Sequence, residues 1–219
     1  MTLPTLFSYI SYLVMAITLI VSFLFCYKKQ NPSYLHFFPF YHLFACCIEV
    51  IAYLYFMMDY SLVRAKDNSL NNLFTLGEFF FFFFFILTQL TRRQYKLILC
   101  GGGVIALALL LSFLLAYRSL KFHVWQGVMT TNIFFILGCL LYFLSIFKDL
   151  PYANLSKEPS FWIMTGIFFY SVIEAPTLAV VLNYKSLFMS SLLYQSINGI
   201  AYLLLHLLFI KAYTCKIQR

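Results

Sequence analysis

Glu49, Glu78 and Glu174 lie inside otherwise apolar segments of the chain. A carboxylate at membrane depth costs at least roughly 2.5 kcal/mol even on a lenient insertion scale. Counted from one end of their segments, Glu49 is about eight residues in, Glu78 about six and Glu174 about eight, which is roughly 9–12 Å at 1.5 Å per residue. The count predicts one acidic layer, and no Lys or Arg shares it. Three ionised carboxylates without counter-ions repel one another, so either some hold a proton or a cation, water or ligand amine compensates them. A ligand- or ion-accessible cavity is one reading. Neutral glutamic acids bonded to neighbouring helices, each contributing roughly 0.6–2 kcal/mol, are the other. A glutamate facing lipid at a misplaced segment boundary is a third, with Glu78 its best candidate.

Polar residues around these carboxylates fall on helical stripes. His42, Cys46, Glu49 and Tyr53 are spaced i, i+4, i+7, i+11, one face of an α-helix, and Gln195, Asn198, Tyr202 and His206 nearly repeat the pattern. If these two segments run in opposite directions, His42 and His206 share one half of the membrane, and Glu49 and Gln195 the other. Thr75 and Gln89 accompany Glu78, Tyr170 and Ser171 precede Glu174, and another segment offers Gln126, Thr130 and Asn132. The expected ligand-binding set is Glu49, Tyr53, Glu78, Asn132, Glu174, Gln195, Asn198 and Tyr202. A metal-dependent hydrolase fits poorly, because the histidines and glutamates occupy opposite halves, every Asp is in a loop, and no HExxH or HxxxH spacing occurs. No catalytic residue, metal site or cofactor is assigned from the sequence, and a retinal protein is disfavoured because Lys211 comes only at the end of the last segment.

Seven elements must position these residues. With 63% hydrophobic and 10% charged residues and a mean hydropathy of +0.88, the chain calls for lipid as its solvent. Apolar runs of the length that crosses about 30 Å of hydrocarbon fall at 4–27, 34–57, 72–90, 97–117, 124–147, 160–182 and 186–212. Their continuity, without strict alternation, favours helices over a barrel. The expected fold is all-α, a polytopic bundle of seven transmembrane helices forming a single domain over residues 1–219. The linkers are too short for a soluble output module.

Lys and Arg divide unequally between the two sides of these spans. Ten (Lys28, Lys29, Arg92, Arg93, Lys96, Lys148, Lys157, Lys211, Lys216, Arg219) fall on one side and five (Arg64, Lys66, Arg118, Lys121, Lys185) on the other. The positive-inside rule then predicts the N-terminus outside and the C-terminus cytoplasmic. The net charge of +8 reflects basic residues at cytoplasmic helix ends, so a nucleic-acid partner is not expected. Residues 1–7 lack Lys and Arg, and the apolar stretch outruns a signal-peptide core, so the first span reads as an uncleaved helix. None of the six cysteines falls in an outer loop, which argues against a disulfide framework. The vicinal Cys46 and Cys47 point about 100° apart on a helix and read as packing residues.

Gly101-Gly102-Gly103 in the fourth span reads as a surface for close helix approach. Phosphate binding is disfavoured there because no strand precedes the glycines and no GK[ST] follows. The seven consecutive phenylalanines Phe79–Phe85 go all round their helix, so most face lipid or neighbouring helices, with a share left to flank a pocket beside Glu78.

Asn72-Leu73 through Gly77-Glu78-Phe79, and Pro159-Ser160-Phe161-Trp162-Ile163 with Gly166 and Tyr170, resemble stretches of small bacterial seven-helix inner-membrane proteins similar to the membrane-embedded sensory region of some histidine kinases. The resemblance implies an N-out, C-in bundle in the bacterial inner membrane, a sensing or ligand-binding role, and no catalytic residues. With no kinase module, any output would need a cytoplasmic or membrane signalling partner. The sequence therefore leads to a sensor or binding protein for a small cationic ligand or protons. A small cation- or proton-coupled transporter is the alternative, and an intramembrane lipid-modifying enzyme a further one.

Overall fold

A computed structural model of the chain describes residues 3–26, 32–58, 69–116, 125–149, 155–183 and 192–215. Among these, seven long α-helices account for nearly all the structure: α1 (Leu3–Cys26), α2 (Phe38–Met58), α3 (Ser69–Gln89), α4 (Arg93–Ala116), α5 (Trp125–Asp149), α6 (Pro159–Asn183) and α7 (Leu192–Thr214). Six of the seven, α2 to α7, are long and apolar enough to cross a membrane, the architecture of a multi-pass membrane protein. Within α1 the apolar stretch among the described residues is the shorter Ile10–Phe25.

Local sequence sets the helix boundaries. Pro39 has no N–H to give to the Leu35 carbonyl, so the α-helical ladder cannot run unbroken from the start of the second apolar run. Residues Ser33–Phe37 close a 3₁₀ turn instead, and the Phe38 N–H donates to Leu35. Pro159 occupies the first position of α6, where a missing N–H is harmless. Helix α4 begins a turn before the apolar run because Arg93–Lys96 continue the same ladder.

Ring and glycine contacts fix the directions. Phe38 packs on Phe81 and Phe85 while Phe44 stacks on Phe74, so α2 and α3 are antiparallel. Phe79 meets Phe134 and Phe82 meets Phe135, so α3 and α5 are parallel. Ser11 reaches Gly199 and Met15 reaches Tyr202, so α1 and α7 are parallel too. The odd-numbered helices therefore begin at one end of the bundle, termed here the upper end. Helices α1, α2, α3, α5, α6 and α7 close into a ring, each packed on the next, and α4 lies outside it against α5 and α3. The two tryptophans sit near opposite ends, Trp125 opening α5 and Trp162 near the start of α6, where Lys211 approaches its ring at 5.8 Å. Interfacial belts favour such amphipathic side chains.

The glycine run of α4 is used unevenly. A methyl group on Gly103 would stand 2.7 Å from the ring of Phe83, and one on Gly102 would touch Phe134, whereas Gly101 faces open space. Close approach is therefore a property of Gly102 and Gly103. The phenylalanine run does go round its helix: Phe79, Phe82 and Phe85 are buried, Phe80 and Phe84 exposed, Phe81 and Phe83 between.

Candidate functional site

Inside the upper half of the ring lies a cavity of about 340 Å³. Its walls carry Glu49 from α2, Glu78 from α3 and Glu174 from α6, so all three intramembrane carboxylates border one space. Asn198 and Tyr202 of α7 join them. Aromatic rings of Tyr12, Phe74, Trp125 and Tyr170 complete much of the wall, and among the described residues no Lys or Arg contributes.

The carboxylates are not at one level. With Phe44 against Gly77 and stacked on Phe74, Glu78 comes level with the turn holding Tyr41, and Asn71 with Glu49. Glu78 is thus about two turns deeper than Glu49, roughly 10 Å at 1.5 Å per residue. Counting from the ends of apolar runs placed them together because it treats every helix as starting at the same height. Side-chain interdigitation between α2 and α3 sets the actual offset.

Two of the three glutamates are bonded to neighbouring helices. The Tyr41 hydroxyl donates to Oε1 of Glu78 at 3.0 Å within the protein interior. Asn132 Nδ2 donates to Oε2 of Glu174 at 2.8 Å, and the Tyr170 hydroxyl, one turn earlier on α6, bonds the same carboxyl. Glu49 is half-buried and lies toward the mouth with Asn71. Asn132 stands behind Glu174, buried and supporting it, and is not part of the cavity wall. The side chains of Tyr53 and Gln195 lie outside the described residues.

Tyr41, which bonds Glu78 from behind the wall, and several wall residues were not anticipated. Tyr41 is one residue from the polar stripe of α2 and reads as a core aromatic, since its role depends on where α3 lies. Ser11 and Tyr12 come from α1, whose apolar sequence gave no reason to look there. Ser11 Oγ donates to the Gly199 carbonyl at 3.4 Å, which holds α1 against α7 at the cavity. Asn71 and Trp125 mark the upper ends of α3 and α5.

None of Phe79–Phe85 lines this cavity. Phe80, Phe81, Phe84 and Phe85 instead line a separate, larger groove of about 680 Å³ between the Ser33–Phe38 turn and α3. Among the described residues no three His, Cys, Asp or Glu side chains converge as metal ligands would. Cys46 is half-buried and Cys47 exposed, so the vicinal thiols diverge on α2.

Below the cavity floor, His42 and His206 do share one half of the bundle. Their ring centroids are 5.7 Å apart, and both side chains are buried, at 0% and 1% exposure. Tyr202 separates this pair from the cavity, its ring 4.6 Å from that of His206.

The chain matches no protein-family model, no curated protein and no solved structure.

Proposed function

We propose that the protein is an integral sensor or binding protein of the bacterial inner membrane whose acidic cavity receives a small organic cation from the outer side. In this reading all seven helices span, the N-terminus is outside, and the upper end faces away from the cytoplasm, in keeping with the ten-to-five distribution of Lys and Arg. A cytoplasmic or membrane partner would carry the signal onward.

The observation that carries the reading is the composition of one wall. Three carboxylates from three helices share a cavity with several aromatic faces, and among the described residues no basic one joins them. Carboxylates supply charge, and aromatic faces attract cations most strongly where water is excluded. The carboxylates are spread along the depth of the cavity and do not converge on a point. That spread suits an amine or alkylammonium group with an apolar body better than a bare metal ion, which needs a compact oxygen shell.

A choline titration tests this directly. Choline and its uncharged carbon isostere 3,3-dimethyl-1-butanol have the same shape, and only choline carries charge. Choline is expected to raise the melting temperature of the purified protein in a concentration-dependent way, and the isostere to leave it unchanged. Equal effects, or none from choline and other alkylammonium ions, would remove the support for a cation site.

A transporter remains the second reading because Pro176 interrupts the α6 ladder two residues after Glu174. The lost N–H frees a backbone carbonyl near the carboxylate, a feature that broken transporter helices use to bind ions.

A further inference from the structure

We infer that His42 and His206 form a buried proton-transfer site linking the acidic cavity to the lower end of the bundle. Neither Nδ1 nor Nε2 of either ring has a hydrogen-bond partner among the described residues, although all four atoms are buried. A neutral imidazole presents one donor and one acceptor. Leaving them unpaired carries the full desolvation cost with nothing to offset it. Buried polar groups in this condition call for an explanation such as bound water, and ionisable side chains inside membrane bundles mark proton relays.

The surroundings supply both ends of a path. Above the pair, Tyr202 lines the cavity and packs on His206. Its hydroxyl donates to the thioether sulfur of Met15 at 3.5 Å, a weak acceptor from which the proton is easily redirected. Tyr41, bonded to Glu78, packs on His42 with ring centroids 5.4 Å apart. Below the pair, Tyr213 in the last turn of α7 lies 6.4 Å from His42 between centroids. Asn198, Tyr202, His206 and Tyr213 follow one another down one side of α7. The titratable groups that meet the histidines are thus Tyr41 from α2 and Tyr202 and Tyr213 from α7, with Glu78 of α3 one step further off through Tyr41.

One passage conserves every proton. Neutral Glu78, with its bond to Tyr41 turned round, or a cavity water gives a proton to a tyrosine oxygen as that hydroxyl passes its own proton through one water to a ring nitrogen. The imidazolium then releases the proton on its other nitrogen to the second ring, through one water where the edges do not meet, and onward past Tyr213. One proton has then moved, each imidazole is left as its opposite tautomer, and ring reorientation, hydroxyl rotation and reprotonation of Glu78 from the cavity restore the starting state. The path shares the cavity with the cation-binding reading and requires no organic cation.

Proteoliposomes with a trapped pH dye, driven by a valinomycin-imposed potassium potential and containing no organic cation, test the path. The parent should acidify the lumen faster than protein-free vesicles, and His42→Gln and His206→Gln should each abolish the protein-dependent flux while retaining the parent's melting profile. No flux from the parent, or flux retained by both variants, overturns the inference. If the variants do not fold, ¹⁵N-histidine NMR of a His36→Gln/His123→Gln protein in bilayers decides the matter. Deuterium isotope shifts on the buried ring nitrogens soon after transfer to D₂O are expected, and protection as lasting as that of core amides would overturn it. Loss of the flux would leave choline binding untouched, so the two ideas fail separately.

Discussion

The Tyr41 hydroxyl and the Glu78 carboxyl meet across the α2–α3 interface at 3.0 Å, and this bond ties Glu78 to the helix that carries the shallower Glu49. Tyr41→Phe is expected to lower stability in detergent by about 0.6–2 kcal/mol, the range for an interhelical hydrogen bond in a membrane bundle. In a double-mutant cycle with Glu78→Leu, the two losses should fall short of additive by a similar amount. Strict additivity would show that the bond contributes nothing in solution.

Identical substitutions two residues apart on α4 should behave differently. Gly101→Leu projects into open space and replaces a poor helix former, so the melting temperature should hold or rise. Gly103→Leu must displace the rings of Phe83 and Phe134 and should lower it. Equal melting points for the two would mean that α4 does not pack closely here.

Orientation and pH can be read together at Cys215, just beyond α7. Its thiol is pushed up by burial, with the nearby Lys211 ammonium pulling the other way less strongly. It also donates to the Lys211 carbonyl at 3.2 Å. A raised thiol pKa leaves less thiolate at neutral pH, so alkylation should be slow near pH 7 and accelerate above the ordinary thiol range. In a variant keeping Cys215 alone, an impermeant maleimide should label inverted vesicles and not sealed cells. Labelling of sealed cells would reverse the proposed topology.

Much of this architecture was legible because the membrane simplifies the code. Continuous apolar runs of bilayer length specify helices, and all seven expected runs coincide with helices among the described residues. The i, i+4 stripes on α2 and α7 correctly paired His42 with His206. The vertical offset of Glu78 was not legible, since it depends on Phe44 seating against Gly77, a contact between helices. Tyr41 escaped for the same reason. The contribution of α1 escaped because Ser11 and Tyr12 are commonplace in an apolar helix until α7 is placed beside them. Uneven use of the three α4 glycines also required the neighbour, as nothing in their shared chemistry separates Gly101 from Gly103.

The most direct test of the central claim compares choline-induced stabilisation of the parent with that of a Glu49→Gln/Glu78→Gln/Glu174→Gln variant. Glutamine keeps the shape and most of the hydrogen bonding of a neutral glutamic acid while removing the charge. At a choline concentration a hundredfold above Kd, a parent that binds it gains about 2.7 kcal/mol. The variant is expected to fold at least as stably as the parent without ligand and to show no choline-dependent rise in melting temperature. A variant that is stabilised by choline as much as the parent would contradict it, and would leave the three glutamates as interhelical glue.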